Sequence, residues 1–288
     1  MKLYRYQFPL VKMAQVLSVS VSGYYRWKSR VPSARFLERE RLKEAIKKIF
    51  KKSHETYGSP RIYKSLQVQG FSCSKNSVAY IMRKEGLVAK AGRKYKATTN
   101  SNHPHPPAPN LLNQNFRVMK PDSVWSSDIT YIRTVEGWLY LAVIIDLCTR
   151  KVVGWAMSNR INKELVLSAF HMAYNARMPL DGLIFHSDRG VQYACKEFKK
   201  LLNTRGIVQS MSGRGNCYDN APAESFFKTL KTEEVYWRTY YTREEAKIYL
   251  FKYIEGFYNT TRLHSSLGYK SPQEFEMNYK MGRINDVA

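Results

Sequence analysis

The sequence predicts a mixed α/β domain built on a five-stranded sheet, preceded by a small all-α region of helix-turn-helix character. Three observations carry this expectation. From residue 124 onward, short apolar or alternating runs bounded by turn residues give way to a strand–helix alternation. Ahead of residue 90 the apolar residues recur only at helical spacing. Positive charge is also concentrated at the front: residues 1–98 hold 23 Lys and Arg against 5 Asp and Glu, while the remaining 190 hold 24 against 18. The two parts thus carry +18 and +6 of a total of +24. A front third this basic implies a polyanionic partner, because Lys and Arg that neutralise phosphates release condensed counterions.

Residues 1–32 form the first helix-turn-helix segment. Leu10, Met13, Ala14 and Leu17 have helical spacing, Ser18-Val19-Ser20 makes a break, and Ser22 is placed to cap a second helix carrying Gly23-Tyr24-Tyr25-Arg26-Trp27. Arg26 and Lys28 on that helix are candidate DNA contacts. Residues 33–90 form a second such unit. Leu42, Ala45, Ile46, Ile49 and Phe50 make an amphipathic helix with Lys43, Lys47, Lys48, Lys51 and Lys52 outward. Tyr57-Gly58-Ser59-Pro60-Arg61-Ile62 turns into another helix that Gly70 ends, and Arg61 is a further candidate DNA contact. Ser74 caps a third helix with Val78, Ile81 and Met82 inward, closed by Gly86.

Residues 91–118 read as a basic, proline-rich linker, stiffened by Pro104, Pro106, Pro107 and Pro109. His103 and His105 are linker residues here rather than metal ligands. Residues 119–288 then form the core with a helical tail. Strands are expected over 124–134, 138–147, 151–158 and 183–186, with a fifth starting at Gly206-Ile207-Val208. Helices are expected over 164–177 and 197–204. Thr242-Arg243-Glu244-Glu245 is a capping box opening one helix with an inward stripe from Ala246 to Phe257. Asn259, Arg262 and His264, beyond that stripe, either line a DNA path or tie the tail to the core.

Three acids stand in settings suited to chemistry. Asp128 lies in the strand run Trp125-Ser126-Ser127-Asp128-Ile129-Thr130-Tyr131. Asp188 follows the apolar run Leu183-Ile184-Phe185, and Glu224 sits in the first turn of a helix opened by Pro222. Thirty-five residues separate Asp188 from Glu224. Lys228 and Lys231 fall within roughly 40° of Glu224 around that helix, which suits a phosphate backbone. Arg189 beside Asp188, and Arg214 in the glycine-rich run Ser212-Gly213-Arg214-Gly215-Asn216, are further candidate DNA contacts. Asp146 is acidic and on a strand but lacks a comparable flanking motif.

With the motifs His186-Ser187-Asp188-Arg189-Gly190 and Asn220-Ala221-Pro222-Ala223-Glu224, the pattern resembles the DDE transposases and retroviral integrases. Within them it is most similar to the catalytic second-frame protein (OrfB) of insertion-sequence family three. The Ser-Gly-Tyr-Tyr-x-Trp run, the Tyr-Gly-x-x-Arg-Ile run and the tail from Phe257 to Pro272 match that family as well, so the resemblance covers nearly the whole chain. It implies a ribonuclease-H-like (integrase) core. It also implies Asp128, Asp188 and Glu224 as catalytic and metal-holding acids, two Mg2+ ions with Mn2+ as a substitute, and a basic residue at the Lys231 position. The expected partners are double-stranded DNA (element terminal repeats and target), a homo-oligomer on that DNA, and an upstream-frame protein or fusion.

Cys73, Cys148, Cys195 and Cys217 form no C-x2-C pair, so neither a zinc knuckle nor a disulfide framework is expected. Lys2, Arg5 and Lys12 rule out a signal peptide, and the apolar run 138–145 is too short to span a bilayer. The expected location is the bacterial cytoplasm, at the nucleoid. No G-K-[ST] phosphate loop is present, so no ATP dependence is expected. The competing readings are a structure-selective nuclease of the same fold, and a DNA-binding regulator or silent remnant; all three acids standing with their motifs argue against decay.

Overall fold

A computed structural model describes residues 1–90, 107–213 and 217–283. The expected linker between 91 and 106, with His103 and His105, lies outside the described residues, as does Arg214.

The front of the chain is helical. α1 (Leu10–Val16) and α2 (Val21–Lys28) form the first pair. Ser20, not Ser22, caps α2: its extended backbone lets its Oγ accept the Gly23 N–H at 2.9 Å, whereas Ser22 already lies inside the helix. α3 (Ala34–Lys52), α4 (Ser59–Val68) and α5 (Lys75–Lys84) make the second unit. Ser74 caps α5 as expected, accepting the Ser77 N–H at 3.1 Å. Ile46, Ile62, Leu66 and Val78 are fully buried at its centre.

That unit does not stand apart. Its apolar cluster continues into the sheet-bearing half through Leu139, Leu141, Val143, Phe226, Leu230 and Phe257. The Tyr57 hydroxyl seals the join, donating to the Thr261 carbonyl at 3.1 Å and accepting the Leu263 N–H at 2.8 Å. Residues 107–118, within the stretch expected as linker, also rest on the core. Leu112 and Val118 are buried with Leu147, Leu267 and Phe275, and Ser210 and Asp219 bond Leu111 and Asn110.

Five strands, β1 (Val124–Thr134), β2 (Gly137–Asp146), β3 (Val152–Ser158), β4 (Ile184–Ser187) and β5 (Val208–Met211), form one sheet in the order β3-β2-β1-β4-β5. The first three are antiparallel, and β4 and β5 run parallel to β1. This is the mixed sheet that the strand order implies. Alternation along β2 supplies both faces. Leu139, Leu141, Val143 and Ile145 pack with α9 (Ala221–Glu233) and α10 (Arg243–Phe251). Ala142 and Ile144 pack with α6 (Lys163–Arg177) and α8 (Lys196–Thr204), which flank the short α7 (Val191–Ala194). Gly154 lets α6 approach closely: a Cβ there would lie 2.4 Å from the Ala169 carbonyl oxygen and 2.6 Å from Ala173 Cβ.

The inward stripe of the tail is not one α-helix. After α10 the chain widens into a π-helical turn, Lys252–Tyr258, in which Tyr253, Ile254, Phe257 and Tyr258 are all buried. Asn259 follows and pairs with β3, accepting the Val152 N–H and donating to its carbonyl, both at 3.0 Å. α11 (Pro272–Lys280), which the sequence pattern did not reveal, is clamped by Lys151 and Arg177 on Glu276. No described helix is long and apolar enough to cross a membrane.

Candidate active site

β1 and β4 run side by side with Ser127 opposite Ser187. Asp128 and Asp188 are the next residues of those chains, at the point where β4 ends, so two carboxylates leave neighbouring strands about 4.8 Å apart. Each is anchored by one oxygen. Asp128 Oδ1 accepts the Ile129 N–H at 2.8 Å, and Asp188 Oδ1 accepts the Gly190 N–H at 3.0 Å. Glu224, half-buried, arrives on the first turn of α9.

Asn220 holds that helix in place. Just before α9, its Oδ1 accepts the Ser126 hydroxyl at 2.6 Å and its Nδ2 donates to the Ser127 carbonyl at 3.2 Å. The start of the Glu224 helix is thereby bonded to the two residues preceding Asp128. From the other face, the buried Tyr193 hydroxyl meets Ser127 Oγ at 2.8 Å. Asn220 opens one of the recognised motifs and Tyr193 lies three residues beyond the other, but nothing in their spacing marked them as supports.

The electrostatics join the three acids. Burial pushes the Asp128 carboxyl well up, and the charges of Asp188 and then Glu224 push it further, against the Ile129 N–H and Lys231. Burial and then Asp188 also raise Glu224. Lys231, 5% exposed, sets its ammonium 4.8 Å from the Tyr131 ring centre; burial lowers its pKa and Asp128 acts to raise it. Lys228 on the same helix is exposed. Among the described residues no group of three or more His, Cys, Asp or Glu side chains is gathered closely enough to hold a metal ion by itself. Hard, mutually repelling oxygen donors in an incomplete set fit a magnesium-type ion, which keeps several waters and takes phosphate oxygens from its substrate.

The other candidates divide. Arg26 and Lys28 are exposed on α2, while Arg61 is half-buried on α4. Arg189 donates to the Ser212 carbonyl at 2.7 Å. Asn259, Arg262 and His264 are buried, which of their two readings favours the tie between tail and core. Arg262 is bound to Glu233 through Nε at 2.8 Å and Nη2 at 2.7 Å, and His264 accepts from its Nη1 at 3.3 Å. Buried and bonded on this pattern, they are structural. Asp146 is structural too: fully buried, it accepts the Asp122 and Thr149 N–H groups and the Thr149 hydroxyl in the β2–β3 turn.

Comparison with known proteins accounts for both halves. Models of the integrase core domain match residues 119–217 and 205–272, and an HTH-like domain matches 38–95. The chain is 40% identical over 273 residues to the transposase InsF of insertion sequence IS3A from Escherichia coli, covering 94% of each. The chain belongs to the IS3 family of transposases. It is also 46% identical over 267 residues to the 31 kDa protein of insertion element IS600 from Shigella sonnei, covering 93% of this chain and 98% of that one. Identity to the IS904 transposase of Lactococcus lactis is 46% over 248 residues, 86% of this chain and 98% of that protein. Among solved structures, the simian T-cell lymphotropic virus intasome aligns at TM-score 0.46 and 15% identity, covering 79% of this chain and 73% of that one. This IS3-family protein is therefore a DNA transposase with a polynucleotidyl-transferase core and an HTH-like module in front of it.

Proposed function

We propose that Asp128, Asp188 and Glu224 are the catalytic acids of a transposase that nicks DNA at the ends of its element and joins the freed 3′-hydroxyl to a target phosphodiester. What supports this is that β1, the end of β4 and α9 bring the three carboxylates within electrostatic reach: Asp188 and Glu224 raise the pKa of Asp128, and Asp188 that of Glu224. Such a concentration of partly buried negative charge costs stability without a counter-ion, so it points to cations as its purpose. The three acids would hold two divalent cations, Mg2+ with Mn2+ as a substitute, which when bound activate the attacking oxygen and stabilise the leaving one.

The chain's own residues do the rest. Asn220 and Ser126 fix the distance between the Glu224 helix and Asp128. Lys231 supplies a buried positive charge beside Asp128, and Lys228 offers one to the DNA backbone at the surface. Two in-line displacements follow. Water attacks one phosphorus and expels a 3′-oxygen, which gains a proton; that 3′-hydroxyl then loses its proton as it attacks a target phosphorus and expels a second 3′-oxygen. The first step is a downhill hydrolysis and in the second one ester bond replaces another, so no nucleotide energy source is required. Arg26, Lys28, Arg61, Arg189 and Arg214 are proposed DNA contacts. Element terminal repeats and target duplex are the proposed DNA partners, held by a homo-oligomer in the cytoplasm at the nucleoid. An upstream-frame protein or fusion is the proposed further partner.

The test is Asp128→Asn, Asp188→Asn and Glu224→Gln, each keeping shape while removing one metal-binding charge. Cleavage and joining of a labelled terminal-repeat duplex should be abolished while binding to it stays near normal. Retention of more than about a few per cent of activity in any variant would remove that residue from the site. Hydrolysis without joining under all conditions would replace the transfer reading with a nuclease.

A further inference from the structure

A second basic site lies on another flank of the catalytic helix. A cavity of about 410 Å³ is lined by Arg61 from α4, Arg150 from the β2–β3 turn, Arg262 and His264 from the tail, and the hydroxyl-bearing Ser225 and Thr229 of α9. Two of the three guanidiniums share one carboxylate, Glu233, which is already committed to Arg262 by two hydrogen bonds. Arg61 stands 3.7 Å from the same carboxylate. Among the described residues, the Arg150 guanidinium has only the Phe116 carbonyl at 3.3 Å as its hydrogen-bond partner. The three guanidiniums of the cavity wall thus outnumber the carboxylates that act on them, Glu233 on Arg61 and Arg262 and Asp146 on Arg150. Burial lowers the pKa of both Arg61 and Arg150, while burial and the three arginines hold His264 neutral, at about 2.

Fixed positive charge in excess, partly withdrawn from water, is destabilising unless an anion completes it. Planar guanidiniums with flanking hydroxyl donors suit phosphate oxygens. Around α9, Ser225 lies about 100° and Thr229 about 140° from Glu224, so a group bound there cannot be the one held by the three acids. We propose that this cavity seats a second, non-scissile phosphate of the DNA backbone, gripped by Arg61 and Arg150 between the HTH-like unit and the catalytic helix. The inference rests on the reading that DNA is held at the three acids. It adds a fixed point that sets the angle at which the duplex crosses the catalytic helix.

The experiment uses the full chain and a duplex carrying the terminal repeat, without divalent cation, so that binding is read apart from catalysis. Affinity is measured across 50–200 mM salt for wild type, Arg150→Gln, Arg61→Gln, the double variant and Arg150→Lys, with a melting curve for each. Losing one phosphate contact should flatten the slope of log K against log[salt] by about 0.9. Across that range the wild type should then lose about 3.5-fold more affinity than the variant. The double variant should show that full flattening and neither single one should exceed it, since one phosphate is shared, and Arg150→Lys should keep the wild-type slope. Neutralising single phosphates of the duplex as methylphosphonates should find one position that weakens the wild type but not Arg150→Gln, and this scan on wild type stands even if a variant fails to fold. Unchanged slopes in folded variants, or no such position, would overturn the phosphate seat. A wild type that fails to bind the duplex at all would overturn the DNA reading itself.

Discussion

Glu233→Gln probes the joint that holds the tail to the catalytic helix. Glu233 is 6% exposed at the end of α9 and accepts three hydrogen bonds at 2.7–2.8 Å, two from Arg262 and one from the Tyr253 hydroxyl. Gln keeps the shape but leaves the Arg262 charge buried without a counter-charge. Removing one partner of a buried ion pair costs about 3–5 kcal/mol. Because Gln can still accept a hydrogen bond, about 3 kcal/mol is expected. At about 2–4 °C per kcal/mol for a chain of this size class, the melting temperature should fall by about 6–12 °C. Urea denaturation at neutral pH provides the free energy directly. The paired change Glu233→Leu with Arg262→Met should recover most of the loss, since an apolar pair avoids desolvating two charges. A loss below about 1 kcal/mol for Glu233→Gln would refute the joint. So would an Arg262→Met variant that melts like wild type but binds DNA with a flatter salt slope, because Arg262 would then serve the DNA rather than the fold.

Three further outcomes follow from the same structure. Asn220→Ala should leave the fold standing at a cost of about 1–3 kcal/mol but lower the rate of joining by about 10²-fold, because α9 loses its register against Asp128; single-turnover rates at saturating DNA check this, with a loss confined to DNA affinity as the contrary result. Gly154→Val should destabilise by about 1–3 kcal/mol or more, since its Cβ meets the α6 backbone, read by urea denaturation. Burial acts to raise the Glu276 carboxyl, but its bonds to Lys151 and Arg177 prevail and hold it at about 2 against an ordinary 4.5. A depressed carboxylate stabilises the fold above its unfolded value and loses that contribution as pH falls through the folded one, so stability should drop by about 3 kcal/mol between pH 4.5 and 2. Glu276→Gln should remove that part of the acid dependence.

Much of the sheet was legible because its period is local. Val124–Thr134 is the strand that its apolar and β-branched residues predict, and β2, β3 and α6 begin within a residue of their expected limits. The motifs led to the elements that carry the three proposed acids: Asp128 in β1, Asp188 just after β4 and Glu224 in the first turn of α9. What stayed hidden depends on contacts across the chain. Ser20 and Ser22 are both plausible caps by composition, and only the entry angle of the chain decides between them. Asn259, Arg262 and His264 are as polar as any DNA contact, and their burial follows from Glu233 and Val152, which are 26 or more residues away in sequence. The Arg150 side of the basic cavity carries no motif at all.

The clearest gap between pattern and structure concerns independence. A proline-rich stretch between two charge regimes suggests that the catalytic half, starting near Pro109, folds alone. Yet the apolar residues of α3–α5 share one cluster with β2, α9 and the π-helical turn, and the Tyr57 hydroxyl bonds two backbone groups of the tail. Cutting the helices away would expose Phe257 and its neighbours, each worth about 1.5–3 kcal/mol of burial. It would also take Arg61 from the basic cavity. The basic front unit is thus part of the catalytic core's packing as well as a source of charge. Loss of DNA binding by a truncated chain could therefore reflect a damaged core. Charge substitutions in the intact chain separate the two, because they alter the salt slope without opening the shared cluster.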